Sequence, residues 1–191
     1  MNTHAPVQGK SVLDAEALGR TLSRIAHEII EGNPELDDLA LVGIQTRGAP
    51  LAQRLARLIE ERAGTAPALG AVDITFHRDD VMVRGGEAPL APQPLVRATS
   101  LDFPLDGRTV VLVDDVLYTG RTIRAALDGV IDLGRPRAIR LAVLIDRGHR
   151  EFPIEANYVG KSVPTANREV IQVLFQETDG ADEVWILERA Q

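Results

Sequence analysis

The stretch VVLVDDVLYTGRT, Val110 to Thr122, places two adjacent carboxylates, Asp114 and Asp115, just before a loop made of Thr119, Gly120, Arg121 and Thr122. A loop of that composition entering a helix offers an anion unpaired backbone N–H groups, a favourable dipole and hydroxyl donors, and its glycine lets the backbone come close. Carboxylates beside a bound phosphate repel it unless they face another part of the same molecule. Vicinal sugar hydroxyls are natural donors to them. A ribose 5-phosphate meets both demands, with its phosphate in the loop and its diol on the acids. An Asp–Asp pair alone does no more than cap a turn; the loop that follows makes the reading specific. The segment contains neither GxxxxGK[ST] nor GxGxxG, which weighs against nucleoside triphosphates and dinucleotides.

Such a site needs a strand to deliver the acids and a helix to supply the N–H groups. TVVLVDD (109–115) reads as a buried strand, and Thr122 to Leu133 as a helix stopped by Gly134 and Pro136. Upstream, Leu18, Leu22, Ile25, Ala26, Ile29 and Ile30 form the apolar stripe of a helix over Asp14 to Glu31, with Asp14 as its cap. LALVGI (39–44) is a buried strand, Pro50 to Arg62 a helix, AVDITF (71–76) a strand and AIRLAVLI (138–145) another. His77 to Pro104 lacks periodicity and reads as a mobile loop. The alternation predicts an α/β fold with a central, mostly parallel β-sheet flanked by helices. After Asp146, NYVG, VIQVLF and EVWIL read as antiparallel strands added to that sheet or folded over its edge. In such sheets ligands collect beyond the carboxyl ends of the strands, where Asp114 and Asp115 stand.

The chain has 191 residues, which suits a single domain over 1–191. It contains no cysteine, so neither disulfides nor thiolate metal sites support the fold. The opening residues lack the apolar core of a signal peptide and no run has the roughly 20 apolar residues of a membrane helix, so a cytoplasmic protein is expected. A net charge of -7 argues against a surface that grips nucleic acid everywhere but permits a local basic patch. Lys10 and Lys161 are the only lysines; the remaining positive charge is arginine, whose planar fork suits phosphate and carboxylate.

The apolar strand, paired acids and T-G-x-T loop resemble the ribose-phosphate signature of the type I phosphoribosyltransferases. LVGIQTRG (41–48), DITFHRDD (73–80), VDDVLYTGRT (113–122), DLGRPR (132–137), LAVLIDRGHREFP (141–153) and NYVGKSVPT (157–165) further resemble the PyrR family. Those proteins are pyrimidine-operon attenuation regulators that also have uracil phosphoribosyltransferase activity. The resemblance implies transfer of ribose 5-phosphate from PRPP to uracil, giving UMP and diphosphate, with Mg²⁺ carried by PRPP and no direct protein ligand. It assigns Asp114 and Asp115 to the ribose hydroxyls, Thr119 to Thr122 to the 5-phosphate with Tyr118 bordering them, and Thr46, Arg47 and Gly48 to the pyrophosphate. Arg78, Asp79 and Asp80 would stand at the root of a flexible active-site loop that excludes water. A small C-terminal hood would cover the base, with Tyr158 or Val159 against the ring. Arg147 is a second candidate for base or pyrophosphate.

The same resemblance implies uridine-nucleotide-dependent binding of a pyr leader mRNA hairpin, with UMP or UTP as effector. Ser23, Arg24, His27, Thr46, His149, Arg150 and Lys161 form the candidate RNA face. Two departures weaken that face: Gly32 stands where relatives commonly carry a basic residue, and Glu155 where they carry arginine. Two alternatives stay open: a non-catalytic UMP/UTP-sensing RNA regulator, and a phosphoribosyltransferase for another base such as hypoxanthine. A homodimer or higher homo-oligomer is expected.

Overall fold

The carboxyl ends of five parallel strands form the platform on which the paired acids sit, as seen in a computed structural model that describes residues 9–74 and 99–188. Strand β1 (Gly9–Leu13) leads into helix α1 (Ala15–Gly32), then β2 (Leu39–Ile44), α2 (Gly48–Ala63) and β3 (Ala68–Val72). Strand β4 (Thr109–Leu117), α3 (Arg121–Leu133) and β5 (Ala138–Asp146) follow. The chain ends with β6 (Tyr158–Ser162), β7 (Glu169–Leu174), the short helix α4 (Gln176–Asp179) and β8 (Glu183–Glu188). The central sheet has the order β3-β2-β4-β5-β6, and β1-β8-β7 form a separate antiparallel sheet.

Local chemistry explains the elements. Asp14 caps α1 by accepting from the Ala17 N–H at 2.8 Å, and Leu18, Leu22, Ile25, Ala26 and Ile29 bury the predicted stripe. Each fully buried Leu or Ile contributes about 1.5–3 kcal/mol, so this face alone anchors α1 to the sheet. Helices α1 and α2 cover one sheet face together with Phe175, Val173 and Val184 from the smaller sheet. Helix α3 covers the other through Ile123, Ala125, Ala126 and Val130.

Three expectations are corrected. Residues Tyr158 to Gly160 belong to β6, a parallel strand of the central sheet paired with β5, because Asn157 zips the start of the pairing: its N–H donates to Leu141 O and its Oδ1 accepts from the Leu141 N–H, each at 2.9 Å. Only β7 and β8 of the tail are antiparallel, and they form a sheet of their own with β1, a strand the sequence reading did not foresee. The third strand, Ala68–Val72, begins three residues before the AVDITF pattern places it; Asp73 and Ile74 follow the strand, and Thr75 and Phe76 lie outside the described residues. Of the loop expected over 77–104, the described part is packed: Ser100 and Ala71 exchange two hydrogen bonds of 2.9 Å, and Leu101 and Phe103 lie on the α3-side core. Arg78, Asp79 and Asp80 lie outside the described residues.

Candidate functional site

Along β4, Leu112 and Leu117 face the α3-side core, whereas Val113 and Val116 both face the opposite one. Residues three apart on a regular strand point to opposite faces, so the alternation breaks at Asp114 and Asp115. Each acid secures the break with its own side chain: Asp114 Oδ1 accepts from the Asp115 N–H at 3.0 Å and Asp115 Oδ1 from the Val116 N–H at 2.9 Å. Asp114 is buried and Asp115 half-buried. Burial pushes the Asp115 carboxyl above the usual carboxylate range, opposed by hydrogen bonding with Asp114, by the Val116 N–H and by the charge of Arg47.

Beyond Leu117 the chain turns through Tyr118 and Thr119 into Gly120, whose φ of 91° is the left-handed conformation glycine accepts without penalty. Gly120 is the N-cap of α3 and offers no side-chain cap; Thr119 Oγ1 accepts from the Arg121 N–H at 3.4 Å, and the N–H groups that follow in the first turn suit an external acceptor. The Arg121 guanidinium is drawn sideways to Glu151 at 2.6 Å and lies over the Phe152 ring. Glu151 and Phe152 donate from their backbone to Thr119 O at 2.9 and 3.1 Å, so the segment after β5 backs the loop.

The loop of Thr46, Arg47 and Gly48 joins β2 to α2 beside these acids, and its Gln45–Thr46 peptide is cis. A Cβ on Gly48 would lie 2.2 Å from Val113 O and 3.3 Å from Asp114 Cα, so only glycine allows the loop to press against the acidic strand end. Thr46 is exposed. Arg47 forms a two-pronged pair with Asp179, at 2.5 and 3.1 Å, and that carboxylate raises its pKa further above the ordinary arginine value.

Arg147 is buried with its guanidinium 4.0 Å from the Tyr118 ring centroid, and it donates to Thr165 Oγ1 at 2.9 Å and Glu169 O at 2.7 Å. It therefore flanks the start of the Tyr118–Thr122 loop. Val159 packs toward the α3-side core near Ile154 and Ala156. The structure does not bring the Tyr158 ring to this site: it is buried against α1, and its hydroxyl accepts from Arg140 Nη1 at 2.9 Å and Asn33 Nδ2 at 3.1 Å. Parallel pairing opposite Ala142, well short of the carboxyl end of β5, turns that side chain into the core.

The candidate RNA residues divide. Arg24 and Lys161 meet at the edge where α1 crosses β6: Arg24 donates to Val159 O at 3.1 Å and to Gly160 O, and Lys161 to Val12 O at 3.1 Å. His27 is exposed, paired with Glu31 at 3.3 Å, and Ser23 accepts from Arg62 at 2.9 Å. His149 sits edge-on to Tyr118 with its Nε2 2.6 Å from Thr165 O. The Arg150 guanidinium is spent inside the fold, on Asp146 at 2.5 Å and Tyr118 O at 2.8 Å. Thr46, at the end of β2, is three strands from β6. At Gly32 a side chain would meet the Tyr158 hydroxyl at 2.6 Å and Arg140 Nη1 at 3.1 Å.

The Phosphoribosyl transferase domain family matches residues 8–178. A protein of Pelotomaculum thermopropionicum named Bifunctional protein PyrR is 56% identical over 180 residues, covering 94% of this chain and 96% of its own. The protein of the same name from Clostridioides difficile is 52% identical, with 95% and 99% covered. The chain belongs to the PyrR family. Among solved structures, a hypoxanthine phosphoribosyltransferase of Staphylococcus aureus superposes with a TM-score of 0.70 at 19% identity, covering 98% of each chain. One from Trypanosoma cruzi gives 0.69 at 16% identity, with 95% and 97% covered. At that identity the superpositions establish the fold of this PyrR-family chain and carry no choice of base.

Asp179 is a site residue that no motif in the sequence marks. Its partner Arg47 is 132 residues away, beyond any local pattern. The one available signal was the acidic run QETDGAD in a chain whose cations are almost all arginine.

Proposed function

We propose that this chain couples two activities: transfer of ribose 5-phosphate from PRPP to uracil, and uridine-nucleotide-dependent binding of a pyr leader mRNA hairpin. The observation that carries the first is the union of three features at one strand end: the acids Asp114 and Asp115, the N-terminus of α3 behind Gly120, and the Arg47 loop pressed on them through Gly48. In the transfer, the bond from C1 of the ribose to the diphosphate oxygen breaks, a bond from uracil N1 to C1 forms, and the N1 proton is released. Positive charge grows on the sugar while negative charge leaves with diphosphate, so groups that hold both ends outweigh any general base. The acids hold the diol beside the cationic carbon, the α3 terminus and the hydroxyls of Thr119 and Thr122 hold the 5-phosphate, and Arg47 faces the leaving group. Arg147 and Val159 remain the candidates for the base.

Phosphoribosyltransferases generally use Mg²⁺ with PRPP. The fixed acids Asp114 and Asp115 keep negative charge beside the place proposed for the ribose hydroxyls, so the site fits an ion that arrives on PRPP without a direct protein ligand. Bound there, it would offset the charge of the diphosphate.

No helix among the described residues is long and apolar enough to cross a membrane. The same reading takes the chain to be cytoplasmic and to act as a homo-oligomer, which light scattering on the purified protein checks. The catalytic reading is tested by supplying PRPP and Mg²⁺ with uracil, hypoxanthine, adenine or orotate in turn. UMP from uracil alone is expected. Nucleotide from hypoxanthine would reassign the base, and no product with any base would leave a nucleotide sensor.

A further inference from the structure

Helix α2 begins with Arg47 at its N-cap and carries Arg54 two turns later, so the two guanidiniums rise from one side of the helix. Both are taken by the short connection between β7 and β8 that contains α4. Arg54 Nε donates to Glu177 Oε1 at 2.8 Å and Arg54 Nη2 to Asp182 Oδ1 at 2.7 Å, with the guanidinium 5.1 Å from the Phe175 ring centroid. Phe175 is fully buried and fixes the segment in the core. One turn on, Asp179 receives Arg47 in a planar fork, Nη1 to Oδ2 and Nη2 to Oδ1.

The Asp179 carboxylate is itself held. Its Oδ2 also accepts from the Phe175 N–H at 2.9 Å and from Thr178 Oγ1 at 2.8 Å. A guanidinium has five N–H donors, and an end-on fork uses one from each terminal nitrogen. The outer N–H groups and Nε–H therefore keep one fixed direction, on the same loop that Gly48 presses against Asp114. Arg47 is also close enough to Asp115 for their charges to interact. An exposed arginine would have to order its whole stem each time an anion bound.

We infer that Asp179 is a positioning residue for the leaving-group side of this site: it holds Arg47 in the orientation that receives the pyrophosphate group of PRPP. This rests on the catalytic reading above. The Arg54 pairs with Glu177 and Asp182 dock the segment, and Asp179 orients the loop arginine. The smaller sheet thereby contributes to substrate binding without touching substrate.

The test is steady-state UMP synthesis by the full chain and by Asp179→Asn, Asp179→Glu, Glu177→Gln, Arg47→Ala and the double variant Arg47→Ala/Asp179→Asn, with melting temperatures beside each. Asp179→Asn should raise KM for PRPP about tenfold, the scale of the ordering cost of one arginine side chain, with KM for uracil unchanged. Asp179→Glu should recover part of that loss. Glu177→Gln should leave KM for PRPP unchanged even where it lowers the melting temperature, and the double variant should be no worse than Arg47→Ala alone. An unchanged KM for PRPP in Asp179→Asn overturns the inference, and a lower KM overturns it by showing that the carboxylate competes with pyrophosphate. If the wild-type chain makes no nucleotide from any base, the catalytic reading fails instead. Calorimetric titration of Mg²⁺-PRPP into wild type and Asp179→Asn then reads the same contrast without turnover.

Discussion

The β4–α3 corner and the α1–β6 edge are the two regions proposed to meet a phosphate-bearing ligand, and they are built in opposite ways. At the corner the backbone sets the chemistry: acids at a strand end, each fixed by the next N–H, and a helix terminus opened by Gly120. At the edge the candidate groups are long side chains already engaged, Arg24 on Glu28 and β6 carbonyls, His27 on Glu31, and Lys161 on Val12. A preorganised corner pays little to receive its ligand, whereas each side chain at the edge must exchange an existing partner for a new one. The corner should therefore be intolerant of single changes, and the edge should answer in small, salt-sensitive steps.

The sharpest break of that contrast is Asp115→Asn. A charge-assisted hydrogen bond contributes about 1.5–3 kcal/mol, so kcat/KM for PRPP should fall by about one to two orders of magnitude. Circular dichroism should stay native. A rate unchanged within twofold would remove the ribose-diol assignment.

Arg24→Gln and Lys161→Gln address the edge. Each should weaken leader RNA binding several-fold and lower the slope of log affinity against log salt by about 1, while UMP synthesis stays at the wild-type rate. Filter binding at a series of salt concentrations separates this from a global defect. Equal slopes in wild type and variants would place the RNA elsewhere, and a simultaneous loss of UMP synthesis would join the two regions that the structure keeps apart.

Tyr158→Phe sharpens the boundary between them. Removing the hydroxyl takes one acceptor from Arg140 and Asn33, which keep Gly32 O and Ile29 O respectively, so the cost should be about 1 kcal/mol, or about 2–4 °C in melting temperature. KM for uracil should not move. A clear rise in that KM would return Tyr158 to the base site.

The regions also differ in how far the sequence discloses them. The acid strand, the phosphate loop and helices α1 to α3 are legible because their information is local: apolar periodicity, a capping Asp14, and a glycine where the backbone needs positive φ. Strand β3 is displaced in the reading because ALGAV holds two alanines and a glycine, while the following DITF carries the β-branched signal. Strand β1 is hidden because GKSVL is a largely exposed edge whose partner β8 lies at the other end of the chain. The direction of β6 depends on the hydrogen bonds of Asn157 to Leu141, and the Arg47–Asp179 pair on docking of the smaller sheet. Both are long-range outcomes that no local pattern encodes. The RNA candidates were legible as residue types, but Arg150 shows the limit: composition marks an arginine as available, and only packing reveals that Asp146 and Tyr118 O have taken it.

The preorganisation of the corner carries a stability cost whose sign can be measured. Burial raises the Asp115 pKa, so the folded chain holds that proton more tightly than the unfolded chain does. Stability from this group is full below the ordinary carboxylate pKa of about 3.9 and declines as pH rises through the raised native value. Asp179 has the opposite sign: its pKa is lowered chiefly by the hydrogen bond from Arg47, so its contribution is present above the ordinary value and lost only as pH falls through the lowered one. Ionising Asp115 therefore works against the fold. Asp115→Asn should melt higher than wild type at about pH 7, with the gap closing toward about pH 4, whereas Asp179→Asn should melt lower across that range. If Asp115→Asn melts lower at neutral pH, its carboxylate is worth more to the strand break at Asp114 and Asp115 than its burial costs, and the corner would be acidic for folding as well as for chemistry.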